Sequence, residues 1–495
     1  MSADSDNKRG YGHILKYTGI FGGVQGLSVM IGLVRNKIIA LLLGPEGMGL
    51  ASLFNTTVSF VSQATNLGIS FSAVRHVSEL FDTGDEQRIS HFVGVVRAWS
   101  LMTALLGMFV CMVAGPLLSN YTFSWGDHTL HFILLAPAVG LLAITGGETA
   151  ILKGARQLKS LAVIQIYSVF AALLISIPLY YYFGQAGIVP VIVLMAFASM
   201  LLTIRHSYRL YPLSLRSSKD VLGEGLDMVK LGVAFTLAQI VGTSAEMLIR
   251  SYLNVVGELD VVGLYNVGYM IGVAYASLIF SAMETDYFPR LSAVNSDIEA
   301  TNLTVNKQLE VSLLMIAPML VLLIVGLPIL VPLLFSVKFV AVVPMAQLAA
   351  MAMYLKVLTL PVAYITLARG SSRSYFFLET AYYLVFVLLI VFGFSHWGLM
   401  GTGVAIVLAH VFDLLLIWAY AAWVYHYRLT ASVLKYAAVQ ILLGVLTYWL
   451  VMTTTSWTYW LGGTLLFLLS FAFSLYIIKQ KTSLWQSLVR KIRKQ

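Results

Sequence analysis

Long apolar runs, punctuated by glycine, proline and small clusters of charge, recur along the whole chain. A bilayer core takes about 20 apolar residues per helix, and the pattern predicts fourteen such helices. Twelve lie near 14–43, 48–80, 91–118, 128–151, 159–182, 185–210, 226–255, 261–291, 306–335, 339–369, 371–393 and 397–426. Two more lie near 431–453 and 457–480. Several exceed the length a bilayer needs, which implies tilt or extension into the headgroups. The prediction is an all-α, polytopic membrane protein. Its parts are a six-helix lobe over 1–210, a polar loop at 211–225, a second six-helix lobe over 226–426, a helix pair over 427–480, and a basic tail over 481–495.

Composition agrees. Only 11% of the 495 residues are charged and 59% are hydrophobic, whereas soluble domains carry about 25% charge. Cys111 is the one cysteine, which excludes a disulfide scaffold and cysteine-based metal sites. The first thirteen residues are polar and the apolar stretch after them is too long for a signal-peptide core, so helix 1 is expected to remain. The net charge of +9 is read as topology rather than nucleic-acid binding. With a cytoplasmic N-terminus, the inside segments hold twenty-three Lys and Arg and the outside turns hold one, Lys338. That asymmetry puts both termini in the cytoplasm. The longest outside turns, 119–127 and 254–260, are too short to house a catalytic domain, so an enzyme is disfavoured.

The tail carries Leu484, Trp485, Leu488, Val489 and Ile492 on one face, with Arg490, Lys491, Arg493 and Lys494 around it. Two readings stand: a helix lying on an anionic leaflet, or a simple topogenic tail.

The chain also shows a duplication. Helix 1 ends in Arg35, then Gly44, Gly47 and Gly49-Leu50; helix 7 ends in Arg250, then Gly257 and Gly263-Leu264. The arginines are 215 residues apart (250 − 35) and the Gly-Leu pairs 214 (263 − 49). An even number of spans per half gives parallel repeats, a transporter architecture with substrate bound between the halves.

Ionisable groups at membrane depth are costly, so each is a functional candidate. Arg75, Arg97 and Lys230 lie close enough to the cytoplasmic surface to snorkel. Arg35, Lys37, Arg250 and Lys356 are the better candidates, Lys356 being too deep to reach either surface. Glu246 precedes Arg250 by four residues and could be its local ion pair. Asp413, mid-helix, could be the structural partner of Lys356 or, like Glu246, bind a coupling H⁺ or Na⁺. Uncharged polar residues form stripes. Gln25, Ser28 and Arg35 share a face of helix 1; Asn55, Ser59, Gln63, Asn66 and Ser70 share one of helix 2; Gln239, Thr243 and Glu246 share one of helix 7. Together with surplus basic charge they point to a wet cavity accepting an anion. No phosphate-binding glycine loop or metal-ligand cluster appears, so no cofactor is expected beyond a coupling ion.

The run RNKIIALLLGPEGMGL, Arg35 to Leu50, followed by ATNLGIS from Ala64 to Ser70, resembles the first two helices of polysaccharide flippases. These belong to the multidrug/oligosaccharidyl-lipid/polysaccharide (MOP) exporter superfamily, and the O-antigen and enterobacterial common antigen translocases are the most similar branch. The segments EMLIRSYL from Glu246 and DYFPRL from Asp286 are similar to that branch too. The resemblance implies two six-helix bundles in a MATE-like V, alternating access, and an undecaprenyl-diphosphate oligosaccharide as cargo in a bacterial inner membrane. It gives Arg35, Lys37, Arg250 and Lys356 the task of holding the diphosphate. Polysaccharide polymerase machinery would be a partner. Helices 13 and 14 exceed the twelve common in such translocases. A peptidoglycan-precursor flippase, whose relatives have fourteen, and an ion-coupled multidrug exporter are the neighbouring readings.

Overall fold

The computed structural model describes residues 2–481, except 124–125, 213–220, 275–279, 281–286, 289 and 455; side chains are described from residue 26 onward, apart from scattered helical positions. The basic tail therefore lies outside the described residues. Every regular element among them is helical. Eight α-helices come first: α1 Ser2–Thr65, α2 Ile69–Thr83, α3 Glu86–Val113, α4 Gly115–Thr122, α5 Thr129–Gly154, α6 Leu158–Phe183, α7 Ile188–Leu210 and α8 Val221–Val256. Six follow: α9 Leu259–Tyr269, α10 Ile298–Leu334, α11 Val343–Ala368, α12 Ser372–Tyr425, α13 Ala431–Thr453 and α14 Ser456–Lys481. Nine helical stretches among the described residues are long and apolar enough to cross a membrane, and two of them, Lys159–Leu210 and Arg373–Tyr425, each hold two of the predicted spans.

Several predicted boundaries are corrected. The span expected at 48–80 is broken: helix ends at Thr65, Leu67 (φ 53°) and Gly68 (φ 76°) turn left-handed, and α2 starts at Ile69. The supposed loop at 211–225 is already helical from Val221. The span near 91–118 is α3 with a separate short α4, split where Ala114 caps α3 and Pro116 begins a new first turn. α10 starts at Ile298, two turns before the expected 306, because the Asp297 carboxylate accepts from the amides of Glu299 and Ala300. The span at 261–291 is α-helical to Tyr269 and then a π-helical turn, Met270–Ala274. Outside the spans, the hydroxyl and amide of Thr129 hydrogen-bond to Asp127 and hold its carboxyl below the usual range.

Two compact units emerge. The first is Met1–Gly263 with Leu334–Ser336; the second is Leu264–Leu333 with Val337–Gln495. Packing thus carries α8 with the first six spans, whereas the repeat divides the sequence before it.

In the first unit, α1 is two helices separated at Gly44 (φ 66°, ψ −171°). Just beyond, Gly49 and Gly263, the glycines matched by the duplication, pack backbone to backbone. A Cβ on Gly49 would overlap the Leu259 carbonyl, and one on Gly263 the Pro45 carbonyl. Gly47 packs as tightly on Leu43. One core of this unit is built on α2. Ile69, Ala73 and Val77, four residues apart, face Phe92, Val96 and Trp99 of α3, Ile151 of α5 and Met228 of α8. Gly154 lets α5 lie directly on Val77.

In the second unit, α12 is two helices that reverse at Trp397 and Gly398 (φ 56°), where Gly393 and Gly401 meet with no room for a side chain. The connection before α13 is tied to α10: Asn306 donates to the Arg428 carbonyl and accepts from the Thr430 amide and the Tyr427 hydroxyl. Lys481, ending α14, pairs with Glu310 of α10 at 2.5 Å.

Replacing Gly263 by valine would force two backbones apart with no flexible side chain to yield, so folded protein should be largely lost. Gly68→Ala, which only puts a Cβ on a left-handed residue, should cost about 1–2 kcal/mol. Thermal unfolding followed by size-exclusion fluorescence separates the two outcomes.

Candidate functional site

An open-sided cavity of about 860 Å³ lies within the first unit. Its walls are the end of α1 (Ser59, Ser62, Gln63), the break (Asn66, Gly68), α2, Leu142, Gly146 and Lys153 of α5, and Thr236 and Gln239 of α8. The break at 66–68 shapes it. Asn66 donates to the Ser70 hydroxyl at 2.9 Å and accepts from the Ser70 amide at 3.2 Å, so one side chain restarts the helix. Gly146 has no side chain because the Ser70 hydroxyl occupies that space. α2 is thus two-faced: Ile69, Ala73 and Val77 go to the core, Ser70, Phe71, Arg75, Ser78 and Glu79 go to the cavity, and Val74 touches both. Arg75 Nε donates to Glu79 Oε1 at 2.8 Å, with side chains 62% and 57% exposed. Half of the sixteen lining residues carry a hydroxyl or amide group, with both charges and one aromatic ring present.

Of the residues singled out from sequence, the structure brings Gln63, Asn66 and Gln239 together in these walls. Asn55, expected on the same face, is exposed and turns its amide back to the Ala51 carbonyl. The expected stripe is therefore not one continuous helical face: its first member faces elsewhere and its last follows the break. The Gln25 side chain lies outside the described residues. Arg35 sits apart from the cavity walls, half-buried, with Nε donating to the Ser176 hydroxyl at 3.2 Å and Nη2 to Met195 Sδ at 3.3 Å. Lys37 is half-buried on the same helix. Arg250 is buried and donates to the Ser52 hydroxyl at 2.9 Å and to Glu246 Oε2 at 3.1 Å. The local pair with Glu246 exists within α8, and the bond to Ser52 joins α8 to α1.

Lys356 lies in the second unit with Asp413, as expected for helices 10 and 12. Sequence reasoning missed their companion, Glu379. Asp413 feels both Glu379 and Lys356 electrostatically, and the buried His410 also feels Lys356. Lys356, Glu379 and Asp413 thus lie near enough to one another to interact electrostatically.

A second omission is Glu148. Arg97, taken as a snorkelling residue, is instead buried against it. Nε reaches Oε1 at 2.9 Å, the side chains being 10% and 3% exposed, and Ser207 donates to the other oxygen at 2.5 Å. The guanidinium also lies 4.0 Å above the Tyr208 ring. The signal was available: a lone acid inside an apolar helix needs a partner.

Comparison with solved structures shows that this helical fold recurs in known proteins. The fold matches an inward-facing multidrug resistance MATE family transporter of the MOP superfamily (TM-score 0.68, 14% identity, 82% of this chain and 96% of that one). It matches equally the lipid II flippase MurJ in an inward closed conformation (TM-score 0.68, 14% identity, 93% and 98% covered). The chain belongs to the polysaccharide biosynthesis protein family, whose profile matches residues 38–344. It is 24% identical over 378 residues to the lipid III flippases of Escherichia coli K12 and Shigella flexneri, covering 74% of this chain and 86% of each of those. The kinship with polysaccharide flippases read from the helix 1–2 run is borne out.

Removing one partner of the Arg97–Glu148 pair strands a buried charge, which costs about 3–5 kcal/mol, while removing both costs less. Glu148→Ala should therefore unfold at lower temperature than the Arg97→Ala/Glu148→Ala double variant, as thermal denaturation would read directly.

Proposed function

We propose that this chain is a flippase moving an undecaprenyl-diphosphate-linked oligosaccharide from the cytoplasmic to the periplasmic leaflet of a bacterial inner membrane by alternating access. The observation that carries this reading is the cavity of hydroxyl and amide side chains inside the first unit. Lipid cannot satisfy such groups, and a glycan can. Kinship with flippases of lipid-linked oligosaccharide supports the same cargo.

In this reading both termini are cytoplasmic, following the twenty-three to one distribution of basic residues. The polyprenyl chain stays in lipid while the glycan crosses through protein. The diphosphate must keep counter-charges throughout, since an unpaired anion in a low-dielectric interior is prohibitive. Arg35, Lys37, Arg250 and Lys356 are the cations proposed for it. Arg35 and Arg250 already serve structural contacts, so Lys356 is the variant that discriminates best. The carboxylates of Asp413 and Glu379 around Lys356, and Glu246 beside Arg250, are the proposed sites of coupling to H⁺ or Na⁺. The protein is a carrier, not an enzyme, in this account, and polysaccharide polymerase machinery is the proposed downstream partner.

Mass spectrometry of lipid extracts from depleted cells tests it. Polyprenyl-diphosphate oligosaccharide should accumulate, be cleared by the wild-type protein, and persist with Lys356→Ala at wild-type protein levels. Unchanged lipid intermediates with new sensitivity to cationic compounds would instead favour a drug exporter.

A further inference from the structure

The edge of the first-unit cavity carries charge other than the cations proposed to hold the diphosphate. Arg75 and Lys153 approach it from α2 and α5, and Glu79 stands one turn from Arg75. Lys153 has no ion-pair partner among the described residues. Cations whose only duty was to hold topology would not need to line a cavity already furnished with Ser59, Ser62, Gln63, Asn66 and Gln239. The dimensions also fit a headgroup. About 860 Å³ lies within the roughly 300–1,000 Å³ of sites for compact ligands, enough for a few sugar rings and not for a polyprenyl chain as well. Phe71, 44% exposed in the wall, offers the flat apolar surface that the C–H face of a pyranose covers.

Depth adds a second argument. Residues 45–65 form a helix about 30 Å long at its 1.5 Å rise, the thickness of the hydrocarbon core. α2 begins four residues later, so Arg75 and Glu79 come at headgroup level, and Lys153 lies on the last turn of α5 packed against α2. An anion attached to the sugars of a lipid still in the near leaflet would arrive at that level.

We infer that this cavity is a carbohydrate site whose rim, Arg75 and Lys153, docks an anionic group borne by the glycan headgroup, with Glu79 holding Arg75 until that group displaces it. The inference rests on the flippase reading and deepens it. The anion can be a sugar carboxylate or the diphosphate, because both present oxygens that two cations can share. Glu79 makes the site selective. In the empty cavity its carboxylate takes the Arg75 Nε–H, so a neutral sugar gains nothing there and an anion must compete for it.

The test uses the full chain in lipid nanodiscs and microscale thermophoresis with three probes: a neutral N-acetylglucosamine disaccharide, a glucuronic-acid-containing disaccharide, and undecaprenyl diphosphate without sugar. Lys153→Gln and Arg75→Gln should each weaken at least one anionic probe about tenfold, the loss of one charge-assisted contact, and leave the neutral sugar within about twofold. Glu79→Gln should strengthen the same anionic probe. Gln63→Ala should weaken the neutral sugar, confirming that the floor holds carbohydrate. Which anionic probe responds distinguishes sugar carboxylate from diphosphate. The inference is overturned if the wild type binds none of the probes at millimolar concentration, if the neutral sugar loses as much as the anions, or if both rim variants bind like wild type. The flippase reading fails separately, through unchanged lipid intermediates in depleted cells. Accumulation there, with normal clearance by the rim variants, sinks only the rim.

Discussion

Lipid provides no hydrogen bonds, and every polar group carried into the helical bundle must find its partner in protein, water or cargo. That constraint organises both units. Where the sequence places a carboxylate among apolar residues, it is met: Glu148 by Arg97 and Ser207, Glu246 by Arg250. Where it places hydroxyls and amides in excess of what neighbours can use, as along the end of α1 and the outer face of α2, a cavity opens. Satisfied polar groups hold helices together, and the surplus ones define where a hydrophilic cargo can go.

The short α2 shows how little sequence this division needs. Alternating its faces every three to four residues gives one side to the Val96 and Trp99 core and the other to the cavity. The break before it makes the arrangement possible. A continuous helix from residue 48 to 80 would keep its polar positions on a straight line. Interrupting it at Leu67 and Gly68 lets Gln63 and Ser70 face one space from two separate helices.

The apolar pattern made the fold class legible, because a bilayer imposes length and polarity on every span. The two glycines aligned by the expected duplication, Gly49 and Gly263, turn out to touch. The break at 66–68 was not, since hydropathy is blind to a change of φ, although Asn66 and Gly68 carry a turn signature. Gln63, Asn66 and Gln239 were found from spacing; Arg75 was set aside because a cation near a surface can snorkel, and Lys153 because it counted as a topological charge. Only the tertiary neighbours distinguish a snorkelling arginine from Arg97, which turns inward to Glu148. Glu379 escaped for a related reason: its neighbours Lys356 and Asp413 were located one helix at a time, and its own position gave no hint that it faces them.

The knot around Asn306 has a consequence for biosynthesis. α10 is made more than a hundred residues before the segment from Tyr427 to Thr430 that its Asn306 binds. The side chain is therefore already in place when that segment leaves the ribosome. The final helix pair thus meets α10 at two points made earlier in the chain, Asn306 at its start and Glu310, paired with Lys481, at its end. A nascent chain stopped before residue 427 would leave Asn306 without the Arg428 carbonyl, Thr430 amide and Tyr427 hydroxyl, its amide still donating to the Asn302 carbonyl within α10.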